Sequence, residues 1–555
     1  MSSAVGGAPA ASARPRRKWI ALTALLFAAF LLRAAVVFAP PSDVFEKEQV
    51  NQEELLRGIA AQEFLEGPVA PFFEYQVNHF WGGSLVVSVV AVPFYAVFGS
   101  RIVALRLVGV LFALVAVYCA FRLLDRFAGR TAAWIGALML ALSPPGYTYL
   151  SCMVFGTHME SNAFALLLAC LYFEWRAAER GGWLRTAFLG LASGFALWFG
   201  YGLLLVLLLV AVFEWFEDPW FFARKHALPW VAGFAIGFTP WILYGIECGF
   251  RGFEVYEAGI LDHFVHGLKY GTAVDMNGVV RFSVFEKAAR MFEVDYPEAL
   301  WFHESLSIQA LDIGRAATLA ILATVLSVGW RARKQFAVVV SHVVMRVFGR
   351  APSSRLRADA RDLGLFAFAF TVLFFVAYVA TDFAIGPRNF VLNFRYLMPI
   401  WPFVAVCLGI GLAKLIEARG FVRIAAIVGV LSFSALSTAS TLDRCRPETI
   451  AANWERPGSS PIWFARLVML HFGTDVEKMT RVIQNIEEKR TREEQATLFR
   501  YIGKGLATYG KGDSDNLNEK ARNVLYRRTL AALEARAKPE HRAFFSPTVA
   551  SPLPR

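Results

Sequence analysis

Apolar runs close to the ~20 residues needed to cross a bilayer recur along this chain, and arginine-rich loops separate them. That recurrence limits the fold more than any other feature. In hydrocarbon a segment must satisfy its own backbone hydrogen bonds, so each crossing run must be a helix. One large soluble core would not give so many separate runs punctuated by Arg clusters. With 56% hydrophobic and 18% charged residues, the chain reads as an all-α polytopic membrane protein. Its formal net charge of +12 would suit nucleic acid, but the basic residues sit in short loops between runs. Topology and contact with anionic membrane lipid account for them there, and no nucleic-acid partner is expected. The six cysteines form no CxxC pair and no Cys/His metal spacing.

Candidate spans run over 19–39, 102–122, 131–149, 160–177, 185–199, 202–216, 227–246, 313–330, 363–381, 396–416 and 421–440, about eleven in all. Arg14-Pro15-Arg16-Arg17-Lys18 precede the first. It is long for a cleavable signal, and Pro40-Pro41 follow it instead of a small-residue cleavage site. Residues 1–18 are therefore expected in the cytoplasm, with 19–39 retained. Loops on that side then hold Arg122/Arg126/Arg130, Arg176/Arg180/Arg185, Arg224/Lys225, Arg331/Arg333/Lys334 with Arg346 to Arg361, and Lys414/Arg419/Arg423. Every inner loop is basic and the outer loop 40–101 is acid-rich, which places the C-terminus outside. The same alternation demands that 80–98, although long enough to cross, lie at the outer interface. Residues 185–199 and 202–216 are separated by Gly200-Tyr201 alone.

Residues 19–440 thus make the transmembrane domain. Its outer segment 247–312 mixes charged and aromatic residues, as short amphipathic helices on the outer face would, and Phe336–Phe348 reads as an inner interfacial helix. Residues 441–555 are polar and helical in pattern. Thr491-Arg492-Glu493-Glu494 is a capping box opening a helix with Leu498, Phe499, Ile502 and Leu506 on one side. A second helix follows Asp513-Ser514-Asp515 through Ala537. The tail is expected to be a small external helical domain.

Glu53 and Glu54 are the first candidates for chemistry. On a helix from about Asn51 to Leu65, the residues Leu55, Leu56, Ile59, Ala60 and Phe64 make an apolar stripe that can lie on the membrane. That would hold both carboxylates at bilayer depth, where partial desolvation raises a carboxyl pKa and suits a general base toward an acceptor hydroxyl. The plain alternative is a pair of solvated first-turn acids complementing the helix dipole. Arg33 lies inside the first span, where a lone charge costs about 2.5–3.5 kcal/mol at mid-membrane. It either snorkels to the headgroups or contacts a phosphate.

A series of motifs runs in order from Glu53-Glu54, with Arg57, Ala60, Ala61 and Leu65 leading to Gly67. His79-Phe80-Trp81-Gly82-Gly83, Phe98-Gly99-Ser100, Leu105-Arg106-Leu107 and Phe127-Ala128-Gly129-Arg130 follow. Leu142-Ser143-Pro144, His158-Met159-Glu160 and Arg395-Tyr396-Leu397-Met398-Pro399 complete it. In order and spacing this resembles the GT-C glycosyltransferases, especially the bacterial lipid-linked-sugar transferases related to protein mannosyltransferases and the lipid A aminoarabinose transferase. The resemblance covers about 40–180 and, more weakly, 390–410. It implies a transferase of the inner membrane with its active site on the periplasmic side. The donor would be a polyprenyl-phosphate-linked sugar and the acceptor an external glycolipid, polysaccharide or protein. Glu53 or Glu54 becomes the base that activates the acceptor. Glu160, backed by His158, becomes a second acidic group for acceptor or divalent metal. Arg395 with Tyr396 binds the donor phosphate, for which a guanidinium is well shaped, unless Arg395 snorkels to headgroups; His79 supports the outer loop. Two departures stand out. Glu-Glu replaces the family's Asp-Glu, and aromatic and glycine residues replace the Pro-Pro after His79. Both leave open a catalytically silent relative, and a transporter or membrane scaffold is the rival from another class. Such a transporter would need ionisable residues buried mid-span, whereas the carboxylates here cluster at span ends.

Overall fold

A computed structural model describes residues 13–39, 49–76, 82–178, 182–217, 220, 227–250, 254–255, 258–273, 281–291, 300–301, 308–347, 359–382, 395–396, 398–456, 458–511 and 517–546. His79, the acidic loop 40–48, Arg180, Arg224/Lys225 and Leu397 lie outside them. Helix α1 (Ala13–Phe38) is followed by α2 (Gln49–Glu66), α3 (Gly83–Phe98), α4 (Ile102–Phe127), α5 (Arg130–Ala141) and α6 (Pro145–Leu150). Then come α7 (Ser161–Ala177), α8 (Trp183–Phe199), α9 (Leu204–Glu217) and α10 (Leu228–Cys248). Two short antiparallel pairs, Glu254–Val255 with Ala258–Gly259 and Thr272–Ala273 with Arg281–Phe282, flank α11 (Ile260–Tyr270). Helices α12 (Val284–Arg290), α13 (Ile308–Val347), α14 (Ala360–Ala380), α15 (Trp401–Glu417) and α16 (Phe421–Arg444) complete the membrane part. The tail holds α17 (Thr449–Glu455), α18 (Pro461–Phe472), α19 (Val476–Lys489), α20 (Arg492–Lys511) and α21 (Leu517–Arg536).

Among the described residues six helices are long and apolar enough to cross a membrane: Lys18–Phe38, Ile102–Phe127, Leu228–Glu247, Ala360–Ala380, Met398–Glu417 and Phe421–Arg444. Gly83–Phe98, Arg130–Ala141, Trp183–Phe199 and Tyr201–Phe216 are apolar but shorter. The architecture is an all-α polytopic membrane fold, and each expected span is helical at least in part.

Two expected segments differ. The span 131–149 is broken, because Pro144 and Pro145 withhold N–H groups and push the residue before them out of helical geometry. Helix α5 stops at Ala141 and α6 begins at Pro145. The span 313–330 and the separate inner helix at 336–348 are one element, α13. Its 40 residues reach about 60 Å at 1.5 Å per residue, and the Arg331/Arg333/Lys334 link between the two parts favours helix instead of ending it.

Helices α8 and α10 pack through facing glycines, Gly190 and Gly194 against Gly233 and Gly237. A Cβ on Gly190 would lie 2.0 Å from Trp230 O, and one on Gly194 would lie 2.1 Å from Phe234 O. Such small residues let helix backbones approach where lipid offers no hydrophobic drive. Both partners advance together along their chains, so α8 and α10 are parallel. Helix α9 must therefore run back between them, so 185–199 and 202–216 form two helices of opposite direction despite their two-residue link.

The bundle has two polar faces. On the basic face Lys18 pairs with Asp125, Arg122 lies 3.1 Å from Glu174, and Arg176 lies 3.6 Å from both Glu214 and Asp362. On the opposite face, the end of α1 meets the tail: Arg446 N donates to Ala39 O at 3.2 Å. Helix α3 begins and ends on that face. Gly82 N donates to Trp198 O at 2.8 Å, and Tyr95 Oη donates to Gly458 O at 3.0 Å. Both of its ends thus meet that face.

The tail is seated on α2. Ile59, Ala60, Val69 and Tyr75 are buried in one core with Phe464, Val468, Met479, Ile483, Phe499 and Ile502. The stripe expected to lie on the membrane thus has Ile59 and Ala60 covered by protein. Arg490 reaches Glu63 at 2.6 Å, Asn485 Nδ2 donates to Val69 O at 2.6 Å, and Lys478 reaches Glu74 at 3.1 Å. Burial raises the Glu63 carboxyl above its usual value, with Arg490 opposing. Backbones touch here too, since a Cβ on Gly58 would fall 1.7 Å from Gly458 O. The capping box opens α20 as expected: Thr491 N donates to Glu494 at 2.8 Å, and Leu498, Phe499, Ile502 and Leu506 are buried. Helix α11 is amphipathic, exposing Leu261, Val265 and Leu268 while His263 lies 2.9 Å from Asp382.

Candidate active site

Helix α2 delivers Glu53, Glu54 and Arg57 within about one turn, so they fan out over neighbouring directions. Glu54 is fully buried. Both its oxygens take the guanidinium of Arg106 from the first turns of α4, at 3.1 and 2.9 Å, and Val154 N donates to it at 3.3 Å. Glu53 differs. Its side chain is 34% exposed and one oxygen accepts from Arg395 Nη2 at 2.8 Å. Arg57 donates to Glu53 O at 3.0 Å and to Phe155 O at 2.8 Å, while its Nε has no hydrogen-bond partner among the described residues.

Arg395 stands just before α15. It donates to Tyr396 Oη at 3.2 Å and lies over the rings of Phe155 and Tyr396, at 4.9 and 5.1 Å. Its buried Nε also has no hydrogen-bond partner among the described residues. Burial alone would depress this guanidinium, but Glu53 and Tyr396 reverse the effect and raise it.

The loop 151–160 closes the site. Gly156, with φ of +91°, adopts a backbone closed to most side chains, and a Cβ there would meet Ser84 Cα at 2.7 Å. Its N–H donates at 3.1 Å to one oxygen of Glu160, at the threshold of α7; the other oxygen is buried without a hydrogen-bond partner among the described residues. Burial pushes Glu160 up to about 7, against the backbone donors and Arg57. His158 meets Tyr396 edge-on, with ring centroids 4.7 Å apart. Burial, then Arg395 and Arg57, hold its imidazole well below the usual value, so it is neutral near pH 7.

Glu53, Glu54, Glu160, His158, Arg395 and Tyr396 therefore gather around Arg57 and Phe155. Arg33 does not join them. It is fully buried and donates to Ala141 O at 2.8 Å, Leu140 O at 3.2 Å and Ser151 Oγ at 2.9 Å. These carbonyls are those left open where α5 breaks, so Arg33 caps a helix end and neither snorkels nor faces a phosphate. Sequence reasoning missed Arg57 and Arg106 as site residues. Arg106 carried a signal, since a charge one turn inside an apolar span needs a partner. Arg456, from the tail, lies within the electrostatic reach of Arg106 and Glu54 and had no such signal.

Among the described residues no group of three or more His, Cys, Asp or Glu can hold a metal ion, and Glu53 and Glu54 already answer guanidinium groups.

Residues 83–244 match the family model described as dolichyl-phosphate-mannose-protein mannosyltransferase. That segment holds Arg106, His158 and Glu160. Among solved structures, ArnT from Cupriavidus metallidurans bound to undecaprenyl phosphate is 14% identical, over 94% of this chain and 89% of that one, with a TM-score of 0.43. The same protein in the apo state is 15% identical, over 87% and 85%, with a TM-score of 0.45. The archaeal oligosaccharyltransferase AglB from Archaeoglobus fulgidus, in complex with an inhibitory peptide and a dolichol-phosphate, is 12% identical over 83% and 60%, with a TM-score of 0.40. No curated protein matches the chain. The resemblance to the GT-C superfamily of membrane glycosyltransferases, first read from the motifs, thus holds over residues 83–244.

Proposed function

We propose that this chain moves a sugar from a polyprenyl-phosphate donor to an acceptor on the site face. The observation that carries the reading is the Glu53–Arg395 pair, one partly open carboxylate held 2.8 Å from a guanidinium. The matched family, whose name joins dolichyl-phosphate-linked mannose to protein, supports the same donor class. Glu53 accepts a proton from the acceptor hydroxyl or amine as that group attacks the anomeric carbon. The bond from that carbon to the phosphate oxygen breaks, and polyprenyl phosphate leaves with the electron pair. Arg395, Tyr396 and Arg57 meet the charge that develops on it. Arg395 holds Glu53 through Nη2 and keeps Nε for a phosphate oxygen of the donor. Glu54 serves as an anchor, since Arg106 and Val154 N claim both its oxygens. Glu160 offers its open oxygen to the acceptor, with His158 beside it.

The site face is then the external face of the inner membrane, with the tail on that side and the N-terminus in the cytoplasm. The arginine-rich basic face supports this orientation. The acceptor is a glycolipid, polysaccharide or protein. Turnover of polyprenyl-phosphate sugars in proteoliposomes tests the reading. Glu53→Gln should lower kcat by about 10²-fold or more, and full activity in that variant would remove Glu53 as the base. The tight Glu53–Arg395 pairing also favours a second reading, a silent relative. It would be distinguished by saturable donor binding, lost in Arg395→Gln, without turnover in the wild type.

A further inference from the structure

A cavity of about 590 Å³ opens on the basic face, between the ends of α4 and α7 and the start of α8. We propose that it binds the phosphodiester headgroup of an anionic phospholipid. Three guanidinium groups line it, Arg122, Arg126 and Arg185. Glu174 answers Arg122 at 3.1 Å. Among the described residues no carboxylate answers Arg126 or Arg185, so the cavity keeps a net positive charge suited to a phosphate diester.

The rest of the wall tells lipid from a free anion. Leu184 and Phe188 line the cavity and are 64% and 54% exposed, and Trp183 beside them is 68% exposed. These side chains sit on the first two turns of α8, beside Arg185, so apolar surface adjoins the charged wall. A soluble phosphate would have no use for them, whereas a phospholipid meets cation and apolar wall together. Basic pockets between helix ends at the cytoplasmic leaflet take anionic headgroups in this way. The cavity is separate from the site around Glu53, and the proposal does not rest on the glycosyltransferase reading.

The test uses the purified full chain in neutral detergent, titrated with phosphatidylglycerol, phosphatidylcholine or inorganic phosphate while its thermal midpoint is followed. Phosphatidylglycerol should raise the midpoint and the other two should not. Arg126→Gln/Arg185→Gln should weaken half-saturation about thirtyfold, given roughly 1 kcal/mol for each of the two basic residues at a membrane surface. Arg419→Gln/Arg423→Gln, another exposed basic pair, should leave it unchanged. An equal loss in that control would mean diffuse surface charge and overturn the site. The same shift with inorganic phosphate would overturn the lipid assignment. If the cavity variant does not fold, the wild type decides through quenching of tryptophan fluorescence by brominated acyl chains. Phosphatidylglycerol should quench more than phosphatidylcholine, and the excess should fall in Trp183→Phe. An undiminished excess in that variant would also count against the cavity.

Discussion

Glu160 is a buried carboxyl with one oxygen unanswered among the described residues, and its titration follows from that. Burial favours the protonated form and lifts it to about 7 in the folded chain, against 4.5 when free. The folded state therefore binds more proton than the unfolded state between those values, so stability falls as pH rises through that window and is level above it. The full fall is up to about 3 kcal/mol, at 1.36 kcal/mol per unit. Glu160→Gln should flatten the dependence of the thermal midpoint between pH 4.5 and 7; an unchanged slope would assign it to another group. Glu54 and Arg106 behave oppositely, as a buried pair that answers itself. Removing one partner strands the other, so Arg106→Gln should cost about 3–5 kcal/mol, and the doubly apolar Glu54→Met/Arg106→Met should recover much of that. Chemical denaturation of the three proteins checks it. Glu53, Glu160 and Arg395 were legible as site candidates through motif order. The division of labour between Glu53 and Glu54 was not, because it depends on Arg106 and Arg395, which reach α2 from remote parts of the chain. Arg57 was hidden for a simpler reason. An arginine on an amphipathic helix looks the same in sequence whether it meets water or a carbonyl such as Phe155 O.

At the scale of elements, α8 and α10 depend on their glycines. A methyl group on Gly194 would press on Phe234 O, so Gly194→Ala must part the helices. Overpacking of this kind costs about 1–3 kcal/mol. Gly202 has open space around it, so Gly202→Ala should leave the melting temperature in detergent near that of the wild type while Gly194→Ala lowers it. Equal midpoints would mean that the helix contact is soft. Two GxxxG spacings, 190–194 and 233–237, announced this contact in sequence, and hydropathy alone passes over them. The break before Pro144-Pro145 went unread in the expected span 131–149, although proline chemistry carries it. What sequence did not disclose was the use made of it, since only packing brings Arg33 to the open carbonyls. The continuity of α13 was obscured because hydropathy splits at Arg331/Arg333/Lys334, whereas helix propensity does not.

Across the whole molecule, charge and geometry support the proposed topology. The basic face gathers Lys18, Arg122 and Arg176, and the opposite face gathers the end of α1, helix α2 and the tail. Reporters fused after Arg130 and at the C-terminus should therefore fall on opposite sides of the membrane, with the first in the cytoplasm. Two reporters on the same side would mean a miscounted crossing. The docking of 458–490 onto α2 was the least legible feature, because ion pairs between remote residues leave no local periodicity. It also sets a clock. Glu63 and its partner Arg490 are 427 residues apart, which at ~5–20 residues per second is roughly 20–85 s of synthesis. Over that interval Arg106, Val154 N and Phe155 O become available to hold α2 from one side, while the tail that covers Ile59 and Ala60 is still to come. A ribosome that stops before the tail leaves the helix that bears Glu53 covered on one side alone, with Ile59, Ala60 and Glu63 open to whatever else the nascent chain meets.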